Sequence, residues 1–190
     1  NYVNYFSGDK IQLLTIFLGL TCWLFLAGVG QFFFRTAQNI EILPIIGWSI
    51  VSIIYTIFGV FTQIHFSIIF FCLVIFSLST IIYSYFKHYK LVPENYWRII
   101  TLLTPLLLLT AAMNASQWDE FSHWLPAKDF LINTGGFPTT KNPATGTPLY
   151  NAYPFAWPIL TMLPSLAVSQ SLEMSAGIFN LLMLSLIGIL

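Results

Sequence analysis

HFSIIFFCLVIFSLSTIIYSYF, residues 65 to 86, contains no Asp, Glu, Lys or Arg. A membrane helix needs about 20 predominantly apolar residues. This run supplies them with Ile, Leu, Phe and Val spread all round, where a soluble amphipathic helix would keep a polar stripe. It reads as a transmembrane helix. Working outward, 11–34, 42–62 and 97–113 qualify on the same grounds. The links between these runs are RTAQNIE, a tight turn near Thr62–His65, and KHYKLVPENYW. Links that short make consecutive helices antiparallel neighbours.

The whole chain agrees. Apolar residues make up 57% of it, charged residues 7%, and the mean hydropathy is +0.78. A soluble domain carries roughly 25% charged residues, so this composition cannot cover a water-facing surface. A net charge of zero leaves no basic patch for nucleic acid. Cys22 and Cys72 sit inside apolar runs without a metal-binding spacing, so both read as buried thiols. Ala27-Gly28-Val29-Gly30, with Gly47 and Gly59, offers small residues for close helix packing. The fold expected is all-α: a polytopic transmembrane bundle with an external amphipathic-helix loop after the fourth span.

Lys87, Lys90 and Arg98 flank one link and Arg35 sits in another on the same side, which the positive-inside rule makes cytoplasmic. Tyr83, Tyr85, Tyr89, Tyr96 and Trp97 bracket that side as an aromatic belt. Counting spans then puts the N-terminus, the His65 turn and the stretch 114–154 outside. Three units follow: 1–114 with four transmembrane helices, 115–154 as an extracytoplasmic loop with short surface helices, and 155–190 as further membrane helices. The first residue is not Met and the last run is unfinished, so the chain reads as truncated. FAWPILTMLPSLAV, with Pro158 and Pro164, is short for a crossing. It reads as a short helix entering the membrane from outside, with one arm of a re-entrant pair as the alternative.

The loop gathers what chemistry the sequence has. NASQWDEFSHWLPAKDF, residues 114 to 130, holds three of the seven acids, Asp119, Glu120 and Asp129. A carboxylate at the bilayer centre costs about 2.5–3.5 kcal/mol on insertion scales, whereas the apolar run ends at Met113, so these acids stand at the interface beside Trp118 and Trp124. On a helix, Asp119 and His123 share one face. Pro126 suits the first turn of a second helix, PAKDFLIN, and Gly135-Gly136 supplies a left-handed stop. The pair is expected to lie along the membrane surface, with Lys128 pairing with Asp129 or snorkelling to water. The same composition also suits a plain interfacial anchor.

WDEFSHW, then AKDFLINTGGFP, then PLYNAYPFAWPIL resembles the first external loop of GT-C-type membrane glycosyltransferases, the class of protein mannosyltransferases and lipid-linked sugar transferases. Asp119-Glu120, Gly136-Phe137-Pro138 and Tyr153-Pro154 match the order of that loop, over about a quarter of the chain. The family usually places its acidic pair after the first span; here four spans precede it. The resemblance implies an enzyme of the cell membrane with an extracytoplasmic active face. Its donor would be a polyprenyl-phosphate sugar and its acceptor a glycan, lipid or protein. Asp119 would act as catalytic base, and Glu120 would assist it or bind a divalent cation such as Mg or Mn. His123, Lys128, Trp118, Trp124 and Tyr153 would contact substrate. A polysaccharide polymerase or ligase of different fold, a transport protein and a non-catalytic membrane scaffold stand as alternatives.

Overall fold

The structure is a computed structural model that describes residues 10–34, 40–114, 124–139, 142–143 and 155–187. Seven α-helices follow one another among these residues: α1 (Lys10–Phe33), α2 (Leu43–Phe61), α3 (Phe66–Phe86), α4 (Tyr96–Ala112), α5 (Leu125–Thr134), α6 (Ala156–Val168) and α7 (Ser175–Ile187). A single 3-10 turn, Ile40–Ile42, leads into α2. Three helical stretches, Leu13–Phe33, Ile40–Phe61 and Phe66–Phe86, are long and apolar enough to cross a membrane. With 17 residues, α4 is about 25 Å long, short of the roughly 30 Å of hydrocarbon that a perpendicular helix must cross.

The outer faces of these helices are what lipid favours. Phe17, Ile75 and Leu102 are 65%, 66% and 79% exposed, values that a water-soluble bundle would avoid at so many large side chains. Hydroxyls on those faces stay within their own helices: Thr21 donates to Phe17 O, Ser49 to Ile45 O, Ser79 to Ile75 O and Thr101 to Trp97 O. No water is then needed to satisfy them. Cys22 is buried, as expected, but Cys72 lies on the outer face of α3. Tyr96 also departs from its expected place in the belt, turning inward at 3% exposure.

The small residues do pack backbones together. A Cβ on Gly30 would meet the carbonyl of Leu43, and one on Gly47 the carbonyl of Leu26, so α1 and α2 touch main chain to main chain. On the other side of α1, Ser77 Oγ of α3 donates to Phe25 O at 2.7 Å. At the start of α3, His65 Nδ1 accepts from Ser67 N at 3.3 Å and caps the helix.

α6 fills the centre. Every residue from Pro158 to Leu166 is buried, which a helix achieves only when neighbours cover it all round. Its first turn lies against Trp48, whose Nε1 donates to Ala156 O at 3.0 Å, in the half of α2 remote from the His65 turn. Its far end reaches α5 and the connection 169–174, and α7 returns from there past Thr110 and Gly19 toward Leu186 and Tyr96. The start of α6 touches both Trp48 and, through Phe155 and Phe137, the start of α3, so this helix is held to the bundle at both of its ends.

α5 is a short helix packed by one face. It begins at Leu125 with Pro126 in its first turn and ends at Gly135 with φ +65°, as its local sequence implies. Ala127, Lys128 and Leu131 are buried against the bundle, and the rest of the helix is partly buried or exposed. Gly135 O accepts from Phe66 N at 2.8 Å, and the His65 ring covers the place where a Cβ would stand. Gly135→Ala is expected to cost about 1–2 kcal/mol from the left-handed backbone alone, and more from the His65 clash. A thermal melt in detergent measures this. Because the ring causes that added cost, His65→Ala should recover part of the loss in a double-mutant cycle.

Candidate functional site

Trp118, Asp119, Glu120, His123 and Tyr153 lie outside the described residues. The residues flanking the acidic stretch are described: Asn114 follows α4, and Trp124 stands at the head of α5. Glu120, which the resemblance offers for a divalent cation, is among the residues outside the described ones. Among the described residues no group of three His, Cys, Asp or Glu side chains converges on one point.

Trp124 is half-buried, and its ring centroid stands 6.5 Å from that of Trp157 at a steep angle. Trp157 is in turn 6.0 Å from Trp48. A second aromatic run, Tyr55, Phe66, Phe137 and Phe155, links the start of α3 to the start of α6 with centroid spacings of 4.9 to 5.1 Å. Aromatic pairs at such spacings and tilts stabilise by about 0.5–1.5 kcal/mol each beyond the area they bury. Phe137 lies against Gly59: a Cβ added there would stand 2.6 Å from the ring, so the glycine in α2 makes room for the Gly-Phe-Pro turn. The head and tail of α5 are thus both seated on aromatic rings of the bundle.

Lys128 is the unexpected member. Its side chain is 1% exposed, so it does not snorkel, and the Asp129 carboxylate acts on it without forming one of the described close ion pairs. Nζ donates to Leu172 O at 3.0 Å, while Asp129 Oδ1 accepts from Ser171 Oγ at 2.6 Å. Two successive residues of α5 thereby hold two successive residues of the α6–α7 connection. Those contacts differ from a donor-facing role, since the described partner of the ammonium is a protein carbonyl. The sequence carried a signal for this burial: Lys128 sits at helical spacing from Trp124, Leu131 and Ile132, on the apolar face of α5.

Burial pushes the Lys128 ammonium down from 10.5 to about 8; the Asp129 and Glu173 carboxylates oppose that shift without cancelling it. The folded state then binds fewer protons than the unfolded chain between about pH 8 and 10.5, so stability rises with pH across that window. The full shift corresponds to on the order of 3 kcal/mol. Lys128→Met, which keeps the apolar stem, is expected to flatten this rise and to be neutral or stabilising near pH 7. Melting temperatures of both proteins at several pH values check it, and parallel curves would refute it.

Comparison with known protein families, with curated proteins and with solved structures finds no match for this chain.

Proposed function

We propose that this chain belongs to a membrane glycosyltransferase that moves a sugar from a polyprenyl-phosphate donor to an acceptor on the extracytoplasmic face. In this reading α1 to α4 are four spans of a polytopic bundle in the cell membrane, and the segment after α4 forms the active face. The observation that carries the reading is the docking of α5. The helix that leads away from the acidic stretch is fastened to the bundle along its length, at Lys128, Asp129 and Gly135. The described ends of the acidic stretch, Asn114 after α4 and Trp124 at the head of α5, both belong to segments packed on the bundle.

The chemistry has a physical reason to be there. A polyprenyl-phosphate sugar keeps its tail in lipid and its sugar at the water boundary. A carboxylate that activates an acceptor hydroxyl must stand at that boundary. Asp119 takes the role of base, with Glu120 assisting it or binding a Mg or Mn ion. His123 and Lys128 are the candidate contacts for the donor phosphate, and Trp118, Trp124 and Tyr153 those for the sugar face. The described contacts of Lys128 favour a supporting role over direct donor contact.

Sidedness follows from charge. Lys87, Lys90 and Arg98 are exposed at the end of the bundle opposite His65, which makes the His65 end extracytoplasmic by the positive-inside rule. Single cysteines test this in a background with Cys72→Ser: a membrane-impermeant maleimide added to intact cells is expected to label Thr140→Cys but not Lys87→Cys. The reverse pattern overturns the orientation. The activity itself is tested with full-length protein in nanodiscs and a panel of polyprenyl-phosphate sugars, reading transfer to added acceptors. No transfer from any donor counts against the reading.

A further inference from the structure

We propose that Lys128 is a positioning residue whose buried ammonium fastens the α6–α7 connection to α5 and so fixes that connection against the helix leading out of the acidic stretch. The latch itself stands apart from the proposed activity; only its effect on sugar transfer rests on that reading.

Leu172 is the pivot. It is 2% exposed, and its N–H donates to Ser165 Oγ of α6 at 3.0 Å. Its carbonyl accepts from Ser175 Oγ of α7 at 2.9 Å and from Lys128 Nζ of α5 at 3.0 Å. Ser175 Oγ also reaches Thr161 O at 2.9 Å, which ties the start of α7 to the middle of α6. The main chain of one residue thus gathers three helices. Ser165 and Ser175 join α6 to α7, whereas the tie from α5 to this pivot is Lys128, with Asp129 on Ser171 beside it.

Stability alone does not account for a lysine here. A buried cation costs desolvation that a hydrophobic residue of similar volume avoids, and such replacements are often neutral or stabilising. What lysine adds is a charge-assisted hydrogen bond at the end of a long apolar stem. That bond specifies one seating of the connection among those apolar packing would permit. Asp129 from α5 and Glu173 from the connection are the carboxylates that act on it.

Hydrogen exchange on the full chain in nanodiscs, without any donor, tests the latch. In Lys128→Met the amides of 169–174 are expected to exchange at least tenfold faster, while α1 to α3 keep their protection. Wild-type protection there in the variant overturns the proposal. Should the variant fail to fold, the wild-type chain still tests it. Once intrinsic rates are divided out, protection of 169–174 should rise between about pH 8 and 10.5, because opening the connection exposes Lys128 and lets it take up a proton that the buried amine holds weakly. No such rise overturns the proposal as well. With a working donor, Lys128→Met should lower kcat with the donor KM unchanged; a raised KM with protection intact would make Lys128 a donor contact instead. A wild-type protein that transfers no sugar, yet shows the exchange effect, removes the glycosyltransferase reading and leaves the latch.

Discussion

Asp119→Asn is expected to reduce sugar transfer about 10²–10⁴-fold, the contribution a general base in hydrogen-bond reach makes. That loss corresponds to about 3–5 kcal/mol of transition-state stabilisation. The amide keeps the shape and hydrogen-bonding reach of the carboxylate but cannot take the acceptor's proton. The fold should survive, because the described core is built from apolar residues of α1 to α7. Glu94→Gln serves as the control. Glu94 is an exposed acid that pairs with Lys90 at the opposite end of the bundle, so its loss should leave transfer unchanged. Glu120→Gln should fall between the two if Glu120 assists and should match Asp119→Asn if both carboxylates hold a metal. Added Mg or Mn then separates the cases, since only the second depends on the ion. Undiminished turnover in Asp119→Asn would remove the base, and with it the mechanism.

Much of the bundle was legible in the sequence, for a simple reason. A helix in lipid must satisfy its backbone internally and cover itself with apolar side chains, so composition alone delimits it. The runs 11–34 and 65–86 correspond to Lys10–Phe33 and Phe66–Phe86, within a residue at each end. α5 was legible from its ends, because Pro126 and Gly135 act through their own backbone torsions and need no tertiary partner. Features that depend on distant contacts were not legible. Lys128 is buried by a carbonyl 44 residues away, and the start of α6 is set by a tryptophan 108 residues away. No local pattern in FAWPILTMLPSLAV states which way that helix runs. The same limit applies to function. The acidic pair is readable as two adjacent carboxylates after an apolar run, but which groups converge on it depends on long-range packing.

Gly47→Leu is expected to destabilise the bundle by about 3 kcal/mol or more, at the upper end of ordinary overpacking. Two effects oppose one another at this position. A glycine in a helix interior gives up roughly 1 kcal/mol relative to alanine through backbone entropy, so any side chain should help if there were room. There is none: the new Cβ would overlap the Leu26 carbonyl and crowd its Cα, which are main-chain atoms of α1. A rotamer change cannot relieve a contact with backbone, so the two helices must move apart. Separation would also loosen the reciprocal contact of Gly30 with the Leu43 carbonyl and the buried Val51 and Tyr55 further along α2. The penalty should therefore grow with side-chain size, from Ala through Val to Leu, with the alanine cost partly offset by its helix propensity. Gly136→Ala is the comparison, since nothing stands within 4 Å of a Cβ there, and it should stay within about 0.5 kcal/mol of wild type. Midpoints of thermal or SDS-induced unfolding in a common detergent rank the series. A Gly47→Leu protein that melts with wild type would mean that α1 and α2 do not meet backbone to backbone.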